Sequence, residues 1–226
     1  LNIDKIVEVV KQCGAEAVHP GYGFLSENAA FVTRLEAEGI TFIGPPASAI
    51  DAMGSKTKAR ELMQAAGVPI VPGTTEAVPD LKSAEKIAKE IGYPIAVKAA
   101  GGGGGKGFRV AEEPEKLQEA FEGAAREGEK FFSDDTVYLE RYLPDPRHVE
   151  VQVLADKKGN VIHLGERDCS VQRRHQKVIE EAPAPAVDEA LRERIGKIGV
   201  EAARAVDYVG AGTIEGLLQD GEYFFL

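Results

Sequence analysis

Apolar residues recur every three or four positions near the start of the chain, at Ile6, Val9, Val10 and Cys13, with Gly14 as a stop. This spacing predicts a helix over Asp4 to Gly14, those four residues inward. Phe31, Val32 and Leu35 repeat the pattern between Asn28 and Glu38. Ala17-Val18 and Thr41-Phe42-Ile43 are short apolar runs bounded by Gly and Pro, which predicts strands. Up to about Pro46 the order is that of a doubly wound parallel domain. Helical spacing continues over Ala47 to Met53, Ser55 to Ala66, Ser83 to Ile91 and Pro114 to Arg126, with a linker containing Pro72, Gly73 and Pro79. The rhythm then changes. Val137 to Leu143 is a strand, Val149, Val151 and Val153 alternate with polar neighbours, and Lys157 to Asn160 turns the chain back into Val161 to Glu166. Strands joined by so short a turn pair antiparallel. A long helix over Asp188 to Val206 and a hairpin of Gly212 to Leu218 with Glu222 to Leu226 close the pattern. The fold class is α/β followed by α+β.

The stretch Ile95-Ala96-Val97-Lys98-Ala99-Ala100 leads into Gly101 to Gly105, then Lys106 and Gly107. A lysine at the end of a buried strand is costly unless it meets an anion. Glycines let backbone N–H groups close around a phosphate. A flexible linker is disfavoured by the apolar sequence on both sides. A P-loop needs Gly where Ala100 stands and Ser or Thr where Gly107 stands. A dinucleotide fingerprint at Gly102, Gly104 and Gly107 must open a helix, whereas Phe108-Arg109-Val110 has the composition of a strand. Strand, glycine turn, strand fits a mobile flap over a nucleotide.

Composition narrows the class. The 226 residues carry a net charge of −10, which disfavours a nucleic-acid partner, and no stretch approaches a membrane span or a signal peptide. Cys13 and Cys169 are too few for a disulfide framework, fit a reducing compartment, and read as small buried hydrophobes rather than nucleophiles. The chain lacks an initiator Met and stops within an apolar run, so a fragment is expected.

Other positions carry candidate chemistry. Lys56 falls in a first helical turn, where a cation is disfavoured unless an anion shares the site. Glu140-Arg141-Tyr142-Leu143 ends a strand whose backbone could read an adenine edge. Arg167 to Lys177 concentrates basic groups in an acidic chain, which reads either as a solvated loop or as a focus for a small anion. Glu215 lies within an apolar run, where a carboxylate is expected to be paired or to bind a metal, the metal being preferred.

Together, His19-Pro20-Gly21-Tyr22-Gly23-Phe24-Leu25-Ser26-Glu27-Asn28, the Lys98 to Gly107 tract, Pro146-Arg147-His148-Val149-Glu150 and the Glu166 to Lys177 run resemble biotin carboxylases. The resemblance covers essentially the whole chain. It implies the C-terminal part of a pre-ATP-grasp domain over 1–46 and an ATP-grasp domain over 47–226, with a flap subdomain over about 70–142. It implies that ATP and bicarbonate give carboxyphosphate, whose CO2 passes to biotin on a carrier protein. By position it assigns Lys56 and Lys98 to the ATP phosphates, Gly104 and Gly105 to the flap, and Glu140, Arg141, Tyr142 and Leu143 to the adenine hinge. His148 and His175 become nucleotide contacts, Gln172 lies beside the nucleotide, Lys177 holds bicarbonate, and Glu215 is a ligand of Mg2+ or Mn2+. Lys177, His148 and Gln172 make up the catalytic set. The implied partners are a biotin carboxyl carrier protein, carboxyltransferase subunits and a second copy of the chain, in the cytoplasm or the mitochondrial matrix. Family members continue past the closing strand with further metal, bicarbonate and biotin residues, so this stretch alone is expected to fall short of full turnover. Gly216 stands where an aromatic is frequent, which suggests a gap beside Glu215. Another ATP-grasp ligase, such as a carbamoyl-phosphate synthetase, and a non-catalytic nucleotide-binding module are the alternatives.

Overall fold

The computed structural model describes residues 1–101, 106–174 and 176–226. Its first unit packs α1 (Ile3–Cys13) and α2 (Ala29–Ala37) beside β1 (Ala17–Val18) and β2 (Thr41–Phe42), which pair in parallel. Asn2 and Asn28 cap the two helices, each side chain accepting from the N–H three residues on, at 3.0 and 2.9 Å. Such caps satisfy donors that the first helical turn leaves open. The inward stripe of α1 differs from the expected one: Val7 and Val10 are buried with Ile3 and Ile6 beside them, whereas Val9 and Cys13 are exposed. The helix carries apolar residues on two faces, and only one meets α2.

The second unit is a five-stranded antiparallel sheet, in the order β10-β9-β6-β7-β8. Its strands are β6 (Arg147–Ala155), β7 (Val161–Arg173), β8 (Gln176–Glu181), β9 (Gly210–Gln219) and β10 (Glu222–Phe225). Alternation puts Val149, Val151 and Val153 on the face covered by α7 (Glu189–Ala205), against Ile195 and Ala202. Burying each such side chain contributes on the order of 1.5–3 kcal/mol. The helices α3 (Ala47–Gly54) and α4 (Lys56–Ala65) join this core through Ala52, Ala59 and Met63. One expectation is corrected here. The basic stretch is no loop, because β7 runs on to Arg173 and β8 pairs with it, setting Gln172 opposite Lys177. Buried Asp168 and Cys169 anchor the stretch to the sheet, and ion pairs take up the charges of Arg167, Asp168 and Lys177.

The third unit holds α5 (Leu81–Ile91), β3 (Ile95–Ala99), β4 (Phe108–Ala111), α6 (Leu117–Phe132) and β5 (Val137–Arg141). Its antiparallel sheet, ordered β4-β3-β5, buries Val97, Leu139 and Ala124 against the helices. The expected strand–glycine–strand hairpin is formed by β3 and β4, with Lys98 opposite Phe108.

Candidate nucleotide and anion site

The third unit joins the second through two crossings that lie side by side. Going in, Thr74 N–H donates to Leu139 O at 2.8 Å; coming out, Arg141 N–H donates to Pro72 O at 2.8 Å. Gly73 presses against Leu139 O and the Glu140 backbone so closely that a Cβ could not be placed there. That approach requires glycine.

Beneath this junction a cavity of about 520 Å³ is lined by Lys56, Arg60, Lys98, Glu140 and Glu215, among others. Four of the expected residues therefore meet: Lys56 from the first turn of α4, Lys98 from β3, Glu140 from β5 and Glu215 from β9. Lys56 is held below the ordinary lysine range, first by burial and then by repulsion from Lys98. Two cations crowded in a partly buried cavity gain when an anion enters between them.

Glu140 is only 4 % exposed and accepts from two cations, Arg60 Nη1 at 3.0 Å and Lys98 Nζ. Its carboxylate is thus held within the structure, while the adenine expectation for this strand end rests on its backbone. In the same segment, Arg141 N–H is used by Pro72 O, and Tyr142 N–H donates to Pro94 O at 3.0 Å. Among the described residues nothing accepts from the N–H of Leu143.

Beyond Glu215, Glu150 on β6 stands opposite it across the strand pair, and Lys177 of β8 bonds to both carboxylates. Arg167 adds a second cation to Glu150. Burial alone would lower the Lys177 pKa, but hydrogen bonds to Glu150 and Glu215 push it above the ordinary range, so the ammonium keeps its proton and can hold an anion. Burial likewise opposes the charge on Glu150, yet Lys177 and Arg167 hold it below the ordinary carboxylate range.

Glu215 is not the buried carboxylate expected from its apolar neighbours. Its side chain is about half exposed and paired with Lys177, because alternation along β9 turns it to the cavity while Ile214 and Gly216 face the core. Magnesium in phosphate sites takes one or two carboxylates together with phosphate oxygens, and Glu215 fits that donor set. Glu150, Cys169 and Glu180 also bring their ligand atoms within 4.8 Å of one another. They suit a metal poorly, since Glu150 already carries two cations and the Cys169 thiol is pushed up to about 11, chiefly by burial. Beside Glu215 there is no gap at Gly216: the Tyr223 ring fills the space a Cβ would need, and its hydroxyl lies 3.2 Å from the carbonyl oxygens of Val149 and Ile214.

A second cavity, of about 720 Å³, runs between the Gly21-Tyr22-Gly23 turn and the sheet residues Glu150, Gln152 and Arg167. Arg141, Tyr142, Leu143, His148, Gln172 and Lys177 line neither cavity, Lys177 being tied to the first through Glu215. The His148 N–H donates to Ser170 Oγ at 3.0 Å, and the Gln172 amide turns back to donate to Cys169 O at 2.9 Å. The assignments to Gly104, Gly105 and His175 lie outside the described residues.

Sequence reasoning missed Arg60, whose signal was its place one helical turn after Lys56. It also missed the ion pairs of Glu150, which the alternation of β6 placed in register with Glu215.

A small antiparallel sheet whose strands β3 and β4 flank the glycine tract, joined to a larger antiparallel sheet over a two-lysine cavity, has the architecture of an ATP-grasp fold. Residues 55–226 match the family described as carbamoyl-phosphate synthase L chain, ATP binding domain, and residues 1–50 match biotin carboxylase, N-terminal domain. The chain belongs to this family, within it to the biotin carboxylases. It is 52% identical over 222 residues to a biotin carboxylase of Halalkalibacterium halodurans, spanning 98% of this chain and 49% of that protein. It is 53% identical over 224 residues to a mitochondrial methylcrotonoyl-CoA carboxylase subunit alpha of Dictyostelium discoideum, over 99% of this chain and 32% of that one. A biotin carboxylase structure from Campylobacter jejuni, described as a complex with β,γ-ATP, superposes with a TM-score of 0.93 at 49% identity, covering 100% of this chain and 51% of the other. The biotin carboxylase domain of Hydrogenobacter thermophilus 2-oxoglutarate carboxylase, with MgADP, ADP and bicarbonate, superposes at 0.91 with 48% identity, over 100% and 50% respectively. The chain thus spans about half or less of the length of these relatives.

Proposed function

We propose that the chain is the ATP- and bicarbonate-handling part of a biotin carboxylase, the first half-reaction of a biotin-dependent carboxylase. The observation that carries this reading is the convergence of Lys56, Lys98 and Glu215 on one cavity, with Lys177 paired to Glu215 beside it. Lys56 and Lys98 receive the ATP phosphates, and the Leu143 N–H meets the adenine edge. Glu215 holds Mg2+ or Mn2+, which neutralises phosphate charge when bound. Lys177 holds bicarbonate, while His148, His175 and Gln172 frame the nucleotide and Gly104 and Gly105 cover it. A bicarbonate oxygen attacks the γ-phosphorus as ADP leaves. The resulting carboxyphosphate breaks into CO2 and phosphate, and biotin N1′ takes up the CO2 as it loses its proton. Because Lys177 keeps its proton, it serves to orient and neutralise rather than as a base. The partners are a biotin carboxyl carrier protein, carboxyltransferase subunits and a second copy of the chain. A reducing compartment, cytoplasm or mitochondrial matrix, suits its two free cysteines.

The test is bicarbonate-dependent ATP hydrolysis with free biotin in the complete polypeptide, together with ATP binding to residues 1–226. Lys56→Gln and Lys98→Gln should each weaken ATP roughly tenfold or more, the scale of a lost charge-assisted hydrogen bond. Hydrolysis that ignores bicarbonate sinks the carboxylase reading, and unchanged affinity in both variants sinks the phosphate site.

A further inference from the structure

Arg60 lies four residues after Lys56 on α4, so the two cations share one face of the helix, one turn apart. It is only 5 % exposed, and each of its three guanidinium nitrogens has a partner. Nη1 donates to Glu140 at 3.0 Å, Nε to Thr74 O at 3.0 Å and Nη2 to Val71 O at 2.7 Å, while the group stands 5.6 Å from the Tyr138 ring centroid. Those partners belong to the two crossings into the small sheet. Val71 and Thr74 lie on the way in; Tyr138 and Glu140 lie on the way out. A planar fork with five donors can hold three acceptors at fixed angles, which a lysine cannot.

Charge balance alone does not require Arg60, because Lys98 already pairs with Glu140. The second cation matters once Lys98 is shared with another anion. Without Arg60, Glu140 competes with that anion for the ammonium. With Arg60 in place, the carboxylate keeps a partner when Lys98 swings away.

We propose that Arg60 is the positioning residue of the phosphate cavity. Through α4 it is indexed to Lys56, through Glu140 to Lys98, and through Val71 and Thr74 to the crossing, so one side chain sets the separation of the two lysines. This rests on the nucleotide reading given above and adds a residue that reading does not use.

The test compares ATP and adenosine binding by competition to the 1–226 chain, in wild type, Arg60→Lys and the double variant Arg60→Met/Glu140→Met. Folding is checked by thermal melting. Arg60→Lys keeps the charge and loses the fork; it should bind ATP roughly 10–100-fold more weakly, with adenosine changed less than about twofold. The double variant removes the guanidinium together with its carboxylate, leaves Lys98 as the one charge that loses a partner, and it too should bind ATP weakly while staying folded in the melt. A folded variant of either kind that binds ATP as wild type does overturns the proposal. So does an equal loss for ATP and adenosine, because Arg60 then shapes the pocket as a whole. Failure of the wild type itself to bind ATP overturns the functional reading, and this inference with it.

Discussion

Glu150 and Glu215 face each other directly across neighbouring antiparallel strands, two like charges in register, and Lys177 from a third strand holds both. Opposed like charges destabilise a strand pair, so the lysine is a structural member as well as a candidate anion holder. Lys177→Met should lower stability by about 2 kcal/mol, less than the loss of a fully buried ion because Glu215 is half exposed. Adding Glu215→Gln should recover most of the loss. Urea unfolding midpoints of the single and double variants measure both, and strict additivity argues against the coupling.

Glu150 supplies a pH signature. Its carboxyl is held below the ordinary value of 4.5. A depressed folded-state value means that its ion pairs stabilise the fold at every pH above 4.5 and that this contribution fades as pH falls through the lower folded value. Wild type should therefore melt higher than Glu150→Gln at neutral pH, and the two melting temperatures should converge in acid. A constant difference across the whole range would mean that the ionised form is not what stabilises.

Gly216 and Tyr223 are predicted to behave as one unit. A Cβ at Gly216 runs into the Tyr223 ring, so Gly216→Ala should cost about 1–3 kcal/mol, typical of overpacking. In a Tyr223→Ala background the same substitution should cost far less. Differential scanning calorimetry of the four proteins gives the coupling, and equal costs in both backgrounds would show that the ring is not the obstacle.

The two thiols should separate in a disulfide-exchange assay. Cys13 is exposed, whereas Cys169 is buried with its thiol raised to about 11. One thiol per chain should react rapidly in native buffer at neutral pH and the second only after denaturant is added. Rapid reaction of both would place Cys169 nearer the surface.

The helices were legible because each carries a stop or a cap in its sequence: Gly14 ends α1, Asn28 opens α2 and Asp188 opens α7. The hairpin of β3 and β4 was legible because a lysine ending an apolar strand before five glycines has few uses. The extension of β7 through Arg173 was not, because its buried positions include Glu166 and Asp168 while Val171 is exposed, so no apolar alternation survives. The Arg60–Glu140–Lys98 network spans 80 residues of sequence, and no local pattern can announce such a pairing. The exposure of Glu215 was misjudged for a related reason: composition shows what a strand contains, while only register shows which way each side chain points.

The two crossings at Pro72–Thr74 and Leu139–Arg141 are hydrogen-bonded to each other, so the small sheet and its helices enter and leave the molecule at a single point. A cassette attached in this way can be excised, exchanged for a homologous one or enlarged within its loops while the five-stranded sheet keeps its register. Of the two cavity lysines, Lys98 therefore arrives on the unit joined at that point, while Lys56 stays with the five-stranded sheet.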